Sequence, residues 1–219
     1  MIALSDSQYK SPAFLEVIDQ GVDMKMKLVF LFLIIISIVF SINAFCDGYK
    51  QRYLKGFLHD PNIPRWCRYT QYGDLHGKDR GKFLKKFGHT WIHIHHYCGG
   101  LYEIDYAIQH PENAAFHLLQ GIGGFNYVLE RMPRDHFFRH HVLFNKAKAL
   151  MLLQNYAEAA KQYIEIIKIK SDYVPAYIGL SNAFLLMGDK GSALKVLKQA
   201  NKKFPSNRVI KNQIMKLQK

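Results

Sequence analysis

The sequence predicts an all-α protein whose C-terminal half is a row of antiparallel helix hairpins stacked side by side. Three observations carry that prediction. The segment Leu153-Gln154-Asn155-Tyr156-Ala157-Glu158-Ala159 recurs in character 34 residues later as Met187-Gly188-Asp189-Lys190-Gly191-Ser192-Ala193, and that interval is the length of one helix-turn-helix unit. Apolar and small positions keep the same interval: Leu143 with Tyr177, Ala147 with Ser181, Leu150 with Phe184, Tyr163 with Leu197, Ile166 with Ala200. The punctuation agrees. Pro175 stands in a first helical turn, where its missing N–H costs little. Gly188 ends one helix and Pro205 the next, while Asn155 and Asp189 suit tight turns between paired helices.

One such hairpin cannot bury its own apolar face, so hairpins stack. Residues 140–207 resemble two repeats of the tetratricopeptide superfamily, 140–173 and 174–207. The second carries Tyr177, Leu180, Ser181, Phe184, Gly188, Ala193, Leu197, Ala200 and Pro205 at the family's signature positions. The first departs at Lys146, Ile166 and Ser171, where leucine, alanine and proline are usual. Residues 208–219, with Ile210, Ile214 and Leu217 at helical spacing, read as the capping helix of a solenoid of this type. The resemblance implies a groove lined by the first helix of each repeat: His141, Phe144, Lys148, Met151 and Leu152, then Ile178, Asn182, Leu185 and Leu186. Such a surface, mainly apolar, suits an amphipathic helix or an extended peptide. Phe144 stands where the family's carboxylate-gripping groove has a lysine.

Upstream, residues 90–109 and 113–131 read as the helices of a divergent hairpin (90–139), the second packing through Phe116, Leu119, Phe125 and Val128. Gly121-Ile122-Gly123-Gly124 lacks the Lys-Ser ending of a phosphate loop and sits in an apolar helical pattern, so its small residues fit close helix contact. Residues 45–89 read as irregular. They hold Asp60-Pro61-Asn62-Ile63-Pro64 and six glycines, are rich in aromatic residues, and are expected to wrap against the first helices, with a short helix at 78–87.

The N-terminus bears on compartment. Residues 28–42 are apolar except for Ser37 and Ser41, follow Met24-Lys25-Met26-Lys27, and lead into Ile42-Asn43-Ala44. A basic start, an apolar run and a small-residue exit form the pattern of a secretory signal peptide. A retained anchor is the alternative, although a span usually takes about 20 apolar residues. Residues 1–23 fit a true start at Met24 or Met26, or a short cytoplasmic tail ahead of an anchor. Residues 1–44 are thus expected to export the chain to the periplasm or beyond, or to anchor it in the inner membrane with the repeats outside the cytoplasm. Phe45 before Cys46 argues against lipid attachment.

Cys46, Cys67 and Cys98 leave three pairings open in an oxidising compartment. Cys67 with Cys98 is the expected bridge, because it staples the irregular segment to the first helix, a closure that stabilises by about 3 kcal/mol. Retention in the cytosol implies reduced, buried thiols instead. On a helix, His89, His93 and His96 lie at i, i+4 and i+7, with His95 and Cys98 on another face, and these are zinc or copper ligand types. Gly88 precedes them, however, and neither a zincin glutamate nor a Cys-x-x-Cys accompanies them. The expectation is therefore no metal and no cofactor, with histidines hydrogen-bonded in an aromatic-rich helix. His136, His140 and His141 are expected to cap or line a groove.

The formal net charge is +13, and residues 190–219 hold nine basic side chains and no acidic one. That strip suits an anionic envelope surface, and export argues against nucleic acid. With no triad, carboxylate pair or cofactor motif, the sequence reads as a non-enzymatic scaffold of the bacterial cell envelope that binds a protein or peptide. A metal-binding or redox protein built on residues 89–98, and an accessory subunit of an envelope enzyme, are its rivals.

Overall fold

The computed structural model describes residues 28–29, 31–34, 63–71 and 73–218. The chain divides into two units, Met1–Gln51 and Arg52–Lys219. In the first, the described residues are helical with exposed side chains. The remainder of the apolar run, the small-residue exit at 42–44, Cys46 and residues 45–62 lie outside the described residues. Among those described, no helix is long and apolar enough to cross a membrane.

The second unit is all helical, with no strand among its described residues. A 3-10 turn at Arg65–Tyr69 precedes α1 (Arg80–Phe87), and a second 3-10 turn spans Gly88–His93. Then come α2 (His95–Gln109), α3 (Ala114–Arg131), α4 (Arg139–Leu152), α5 (Tyr156–Ile169), α6 (Val174–Leu186), α7 (Lys190–Lys203) and α8 (Arg208–Gln218). From α2 onward each helix packs on the next in the chain.

The 34-residue interval of the sequence is also an interval of the backbone. Asn155 N–H donates to Leu150 O at 2.9 Å and Asp189 N–H to Phe184 O at 2.8 Å; Lys170 N–H donates to Ile166 O at 2.7 Å and Phe204 N–H to Ala200 O at 2.8 Å. The side chains of Asn155 and Asp189 cap α5 and α7 by accepting from the N–H of Glu158 and Ser192, satisfying donors that a helix start leaves open. Both turns need a left-handed residue, Gln154 at φ 59° and Gly188 at φ 82°. Glycine adopts this freely, and glutamine does so at a cost of roughly 1 kcal/mol. Asn207 caps α8 by accepting from Ile210 N–H at 3.1 Å, and its own N–H donates to Phe204 O at 3.0 Å as Tyr173 N–H does to Lys170 O at 3.1 Å ahead of α6. Its Ile210, Ile214 and Leu217 close the apolar end formed by Tyr177, Leu197 and Ala200.

Small residues set the helix spacing. Ala147, Ala159, Ala176, Ala183 and Ala193 are fully buried, and Ser181 Oγ, also buried, donates to Ala193 O at 3.2 Å. The α2–α3 hairpin uses glycine instead. A Cβ on Gly121 would lie 3.0 Å from Gly100 O and one on Gly124 2.7 Å from His96 O, whereas Gly123 faces open space. Close helix contact is the role the sequence suggests for this glycine run.

Two local expectations need correction. The helix expected from residue 90 begins at His95, because Gly88 turns left-handed at φ 59° and the chain continues as a 3-10 turn to His93. In α3, Phe125 and Val128 are buried, but Phe116 and Leu119 are 53% and 60% exposed. The buried stripe is Leu118, Gly121, Phe125 and Val128, at the i, i+3, i+7, i+10 spacing of one face; Leu119 and Phe125, six apart, cannot share it. The short helix expected at 78–87 is present as α1.

The disulfide joins Cys67 to Cys98 with Cα atoms 5.8 Å apart, and neither cysteine has exposed surface. It fastens the Arg65–Tyr69 turn to α2. Beside it the Trp66 ring sits within 6.3 Å of those of Phe87, Trp91, Tyr97 and Phe138. This aromatic cluster is how the described part of the upstream segment wraps on the helices.

Two outcomes follow for urea unfolding. Gly124→Ala is expected to destabilise by about 2 kcal/mol through forced separation of α2 and α3, while Gly123→Ala stabilises by about 0.5 kcal/mol through helix propensity. Replacing Cys67 and Cys98 by serine is expected to lower stability by about 3 kcal/mol, and non-reducing peptide mapping of the parent chain should recover their two peptides linked.

Candidate functional site

Helix α4 buries His140, Leu143, Ala147 and Leu150, a stripe at i, i+3, i+7 and i+10 that leaves His141, Phe144, Lys148, Met151 and Leu152 around its side. Helix α6 buries Ala176, Tyr177, Leu180, Ser181 and Ala183, leaving Ile178, Asn182, Leu185 and Leu186. These nine side chains do not make one uniform surface. Phe144 and Met151 are partly buried against the core of α4–α6, and the Phe144 ring meets Tyr173 edge-on at 5.5 Å. His141 lies 5.0 Å from the Phe138 ring. Ile178 packs toward the cluster around Ile210, and Asn182 and Leu185 are half-buried. The open part is at the far ends of the two helices: exposed Lys148, with Leu152 47% and Leu186 56% exposed, next to Met187 at 41%.

At the opposite end of the hairpins, the α3–α4 and α5–α6 connections enclose a cleft of about 950 Å³ lined in part by His136, Phe137, His140, His141 and Lys170. Burial holds the His140 imidazole down at about 4, with His141 and Lys170 adding to the effect, and burial then Lys170 also lower His141. His95 is held at about 4 by burial and then by His96. His136 braces the turn ahead of α4 and does not cap the helix: Nδ1 accepts from Phe138 N–H at 3.2 Å, which leaves Nε2–H to donate to Phe87 O at 3.0 Å.

His89, His93 and His96 do not converge as a ligand set. His89 is exposed on the 3-10 turn, while His93 and His96 approach the Tyr127 ring at 5.6 and 3.9 Å. The Arg131 guanidinium lies 3.6 Å from the centre of that ring. Burial lowers both imidazoles, helped at His93 by Arg131 and at His96 by His93 and then Arg131, and the guanidinium charge opposes a cation at that place. Among the described residues no group of three His, Cys, Asp or Glu side chains is placed to share a metal ion.

Three polar links carry information that the sequence reading missed. Glu103 and His117, both buried, meet at 2.5 Å across α2 and α3. The signal was present: Glu103 shares the face of Gly100 and Ala107, three and four residues away, and a carboxylate on a buried stripe demands a partner. Asn145 Nδ2 donates to Tyr97 Oη at 3.0 Å, tying α4 to α2, and burial pushes the Tyr97 phenol up. Arg139 donates to Glu165 Oε1 and to Leu129 O, locking α4 between α3 and α5. These contacts cross elements and have no local spacing to betray them.

No protein-family model matches the chain, and no curated protein matches it.

The buried imidazoles set a pH dependence. His95 and His140 take up protons in the unfolded chain near pH 6.5 but in the folded chain only near pH 4. Their contribution is therefore complete above pH 6.5 and lost as pH falls from 6.5 toward 4. Urea midpoints measured stepwise across that window should decline, and the double variant His95→Gln/His140→Gln should flatten the slope.

Proposed function

We propose that residues 140–219 form a non-enzymatic interaction module of the tetratricopeptide type, and that it holds a peptide or amphipathic helix of a protein partner in the bacterial cell envelope. The observation that carries this reading is the return at 34 residues of the left-handed turn residue (Gln154, Gly188), of the capping side chain (Asn155, Asp189) and of the turn hydrogen bonds. Shared propensity alone gives helices; shared backbone detail at one interval marks repeated units.

The compartment is supported by the Cys67–Cys98 bond, since such bonds persist chiefly in oxidising surroundings. The basic, apolar and small-residue pattern of 24–44 fits a signal peptide or anchor that would take the chain there. The ligand's chemistry follows from the open surface. Leu152, Leu186 and Met187 supply apolar contact and Lys148 one cation, which suits a helix that presents leucine-like side chains with one acid beside them.

Site-specific photocrosslinkers in intact cells test this, placed singly at Leu152 and at Ile164 in the parent chain and at exposed Met187 in the variants. The exposed change Leu152→Asp with Leu186→Asp should leave the urea midpoint in place and cut crosslinked partner at least about tenfold, the scale of losing two apolar anchors. Ile164→Asp, at a 38% exposed position of α5, should change neither. Equal crosslinking from Ile164 and Leu152 would refute a groove site.

A further inference from the structure

The connections that run from the second helix of one hairpin to the next helix lie together on one edge of the array. The α3–α4 and α5–α6 connections share the 950 Å³ cleft, with the His140 ring 5.1 Å from Tyr173. The end of α7 joins them, as Lys203 Nζ donates to Ser171 Oγ at 2.6 Å. On this edge Arg134, Lys168 and Lys202 recur at the same 34-residue interval. All three are exposed, and none has an ion-pair or hydrogen-bond partner among the described residues.

The surrounding charges leave that ladder uncompensated. Glu130, Glu165 and Asp172 are each paired to a neighbour, Arg131, Arg139 and Lys170. Among the described residues of these connections, Asp135 alone then stands against the ladder and Arg208. Exposed apolar side chains accompany the bases: Phe137 at 50%, Ile169 at 46% and Val209 at 53%, one on or beside each connection. Basic side chains interleaved with apolar ones on a single edge match the chemistry of an anionic lipid surface, where the cations meet headgroups and the apolar groups enter between them. A nucleic acid would find no reason for the aliphatic members.

We propose that this edge, with the Arg134, Lys168 and Lys202 ladder at its centre, docks the array on an anionic lipid bilayer. The surface overlaps the strip 190–219 only in part. It takes Lys202 and Arg208 from that strip and excludes Lys190 and Lys216, which lie toward the other edge. Leu152 and Leu186 also lie at the other edge, so an array standing on lipid keeps its groove tip open to a partner.

Lysine acetylation footprinting of the full chain on vesicles tests the proposal. The readout is local, so attachment through residues 28–42, which would be alike on every vesicle, does not mimic it. On vesicles containing phosphatidylglycerol, Lys168, Lys170, Lys202 and Lys203 should label several-fold more slowly than on phosphatidylcholine alone, and 0.5 M salt should restore the rate, as about a 4 Å screening length requires. Lys148, Lys190 and Lys216 should label alike on both. Each base contributes about fivefold to binding such a surface. The variant Arg134→Gln/Lys168→Gln/Lys202→Gln, changed only at exposed positions, should therefore weaken docking about a hundredfold and lose protection at Lys170 and Lys203. Equal labelling on the two vesicles, or protection spread evenly over Lys148, Lys190 and Lys216, overturns the proposal. Protection by soluble polyglutamate but not by vesicles also overturns it, and assigns the edge to an acidic protein.

Discussion

The distance between neighbouring helices is the constraint from which everything else in this unit follows. Ala147, Ala159, Ala176, Ala183 and Ala193 have no exposed surface, and each occupies a crossing where a larger side chain would push the backbones apart. In the α2–α3 hairpin the crossing is tighter still, with Gly121 and Gly124 leaving room for the facing backbone and Gly100 for the Phe125 ring. Large residues such as Phe125, Leu143, Ile166 and Leu197 then fill the spaces between crossings completely. Interiors packed to this density transmit a change at one crossing to the next. The groove tip and the basic edge are held in position by contacts that neither of them makes.

Among the described residues the polar groups inside this packing are few and mostly paired, Asn201 Oδ1 and Gln213 Oε1 being the buried side-chain atoms without a partner. Glu103 with His117, Ser181 with Ala193 O, and Asn145 with Tyr97 each join two different helices. Such links contribute modestly to stability, because desolvation offsets much of the attraction. Their effect is on register, since a helix that slid by one residue would leave a buried donor or carboxylate without its counterpart. The buried histidines act in the same sense. With pKa values driven down by burial, His95 and His140 behave near neutrality as flat, hydrogen-bonding rings.

Periodic features were legible in the sequence because a repeat writes the same local instruction twice. The helix ends at residues 152–156 and 186–190, the α8 helix and the Cys67–Cys98 pairing could all be anticipated from spacing and chain logic. The face of α3 was misjudged because Phe116 and Leu119 are as hydrophobic as the residues that are buried, and composition does not say which phase of the helix points inward. The start of α2 was misjudged because one glycine in a left-handed conformation, Gly88, shifts the helix by several residues. Unpartnered positive charge at and beside the connections between hairpins was hidden for another reason. Arg134, Lys168 and Lys202 are scattered through the sequence and come to one edge only when the hairpins stack.

The sulfur atoms of Cys67 and Cys98 have no contact with solvent. Exchange requires a thiolate to reach one of those sulfurs along its bond. In the folded molecule that approach is blocked, so reduction must wait for the Arg65–Tyr69 turn to lift from α2. The bond therefore acts as a latch that is easy to set during assembly and slow to release afterwards. Once closed in an oxidising space, it would survive passage through a milder reducing one for as long as that turn stays seated.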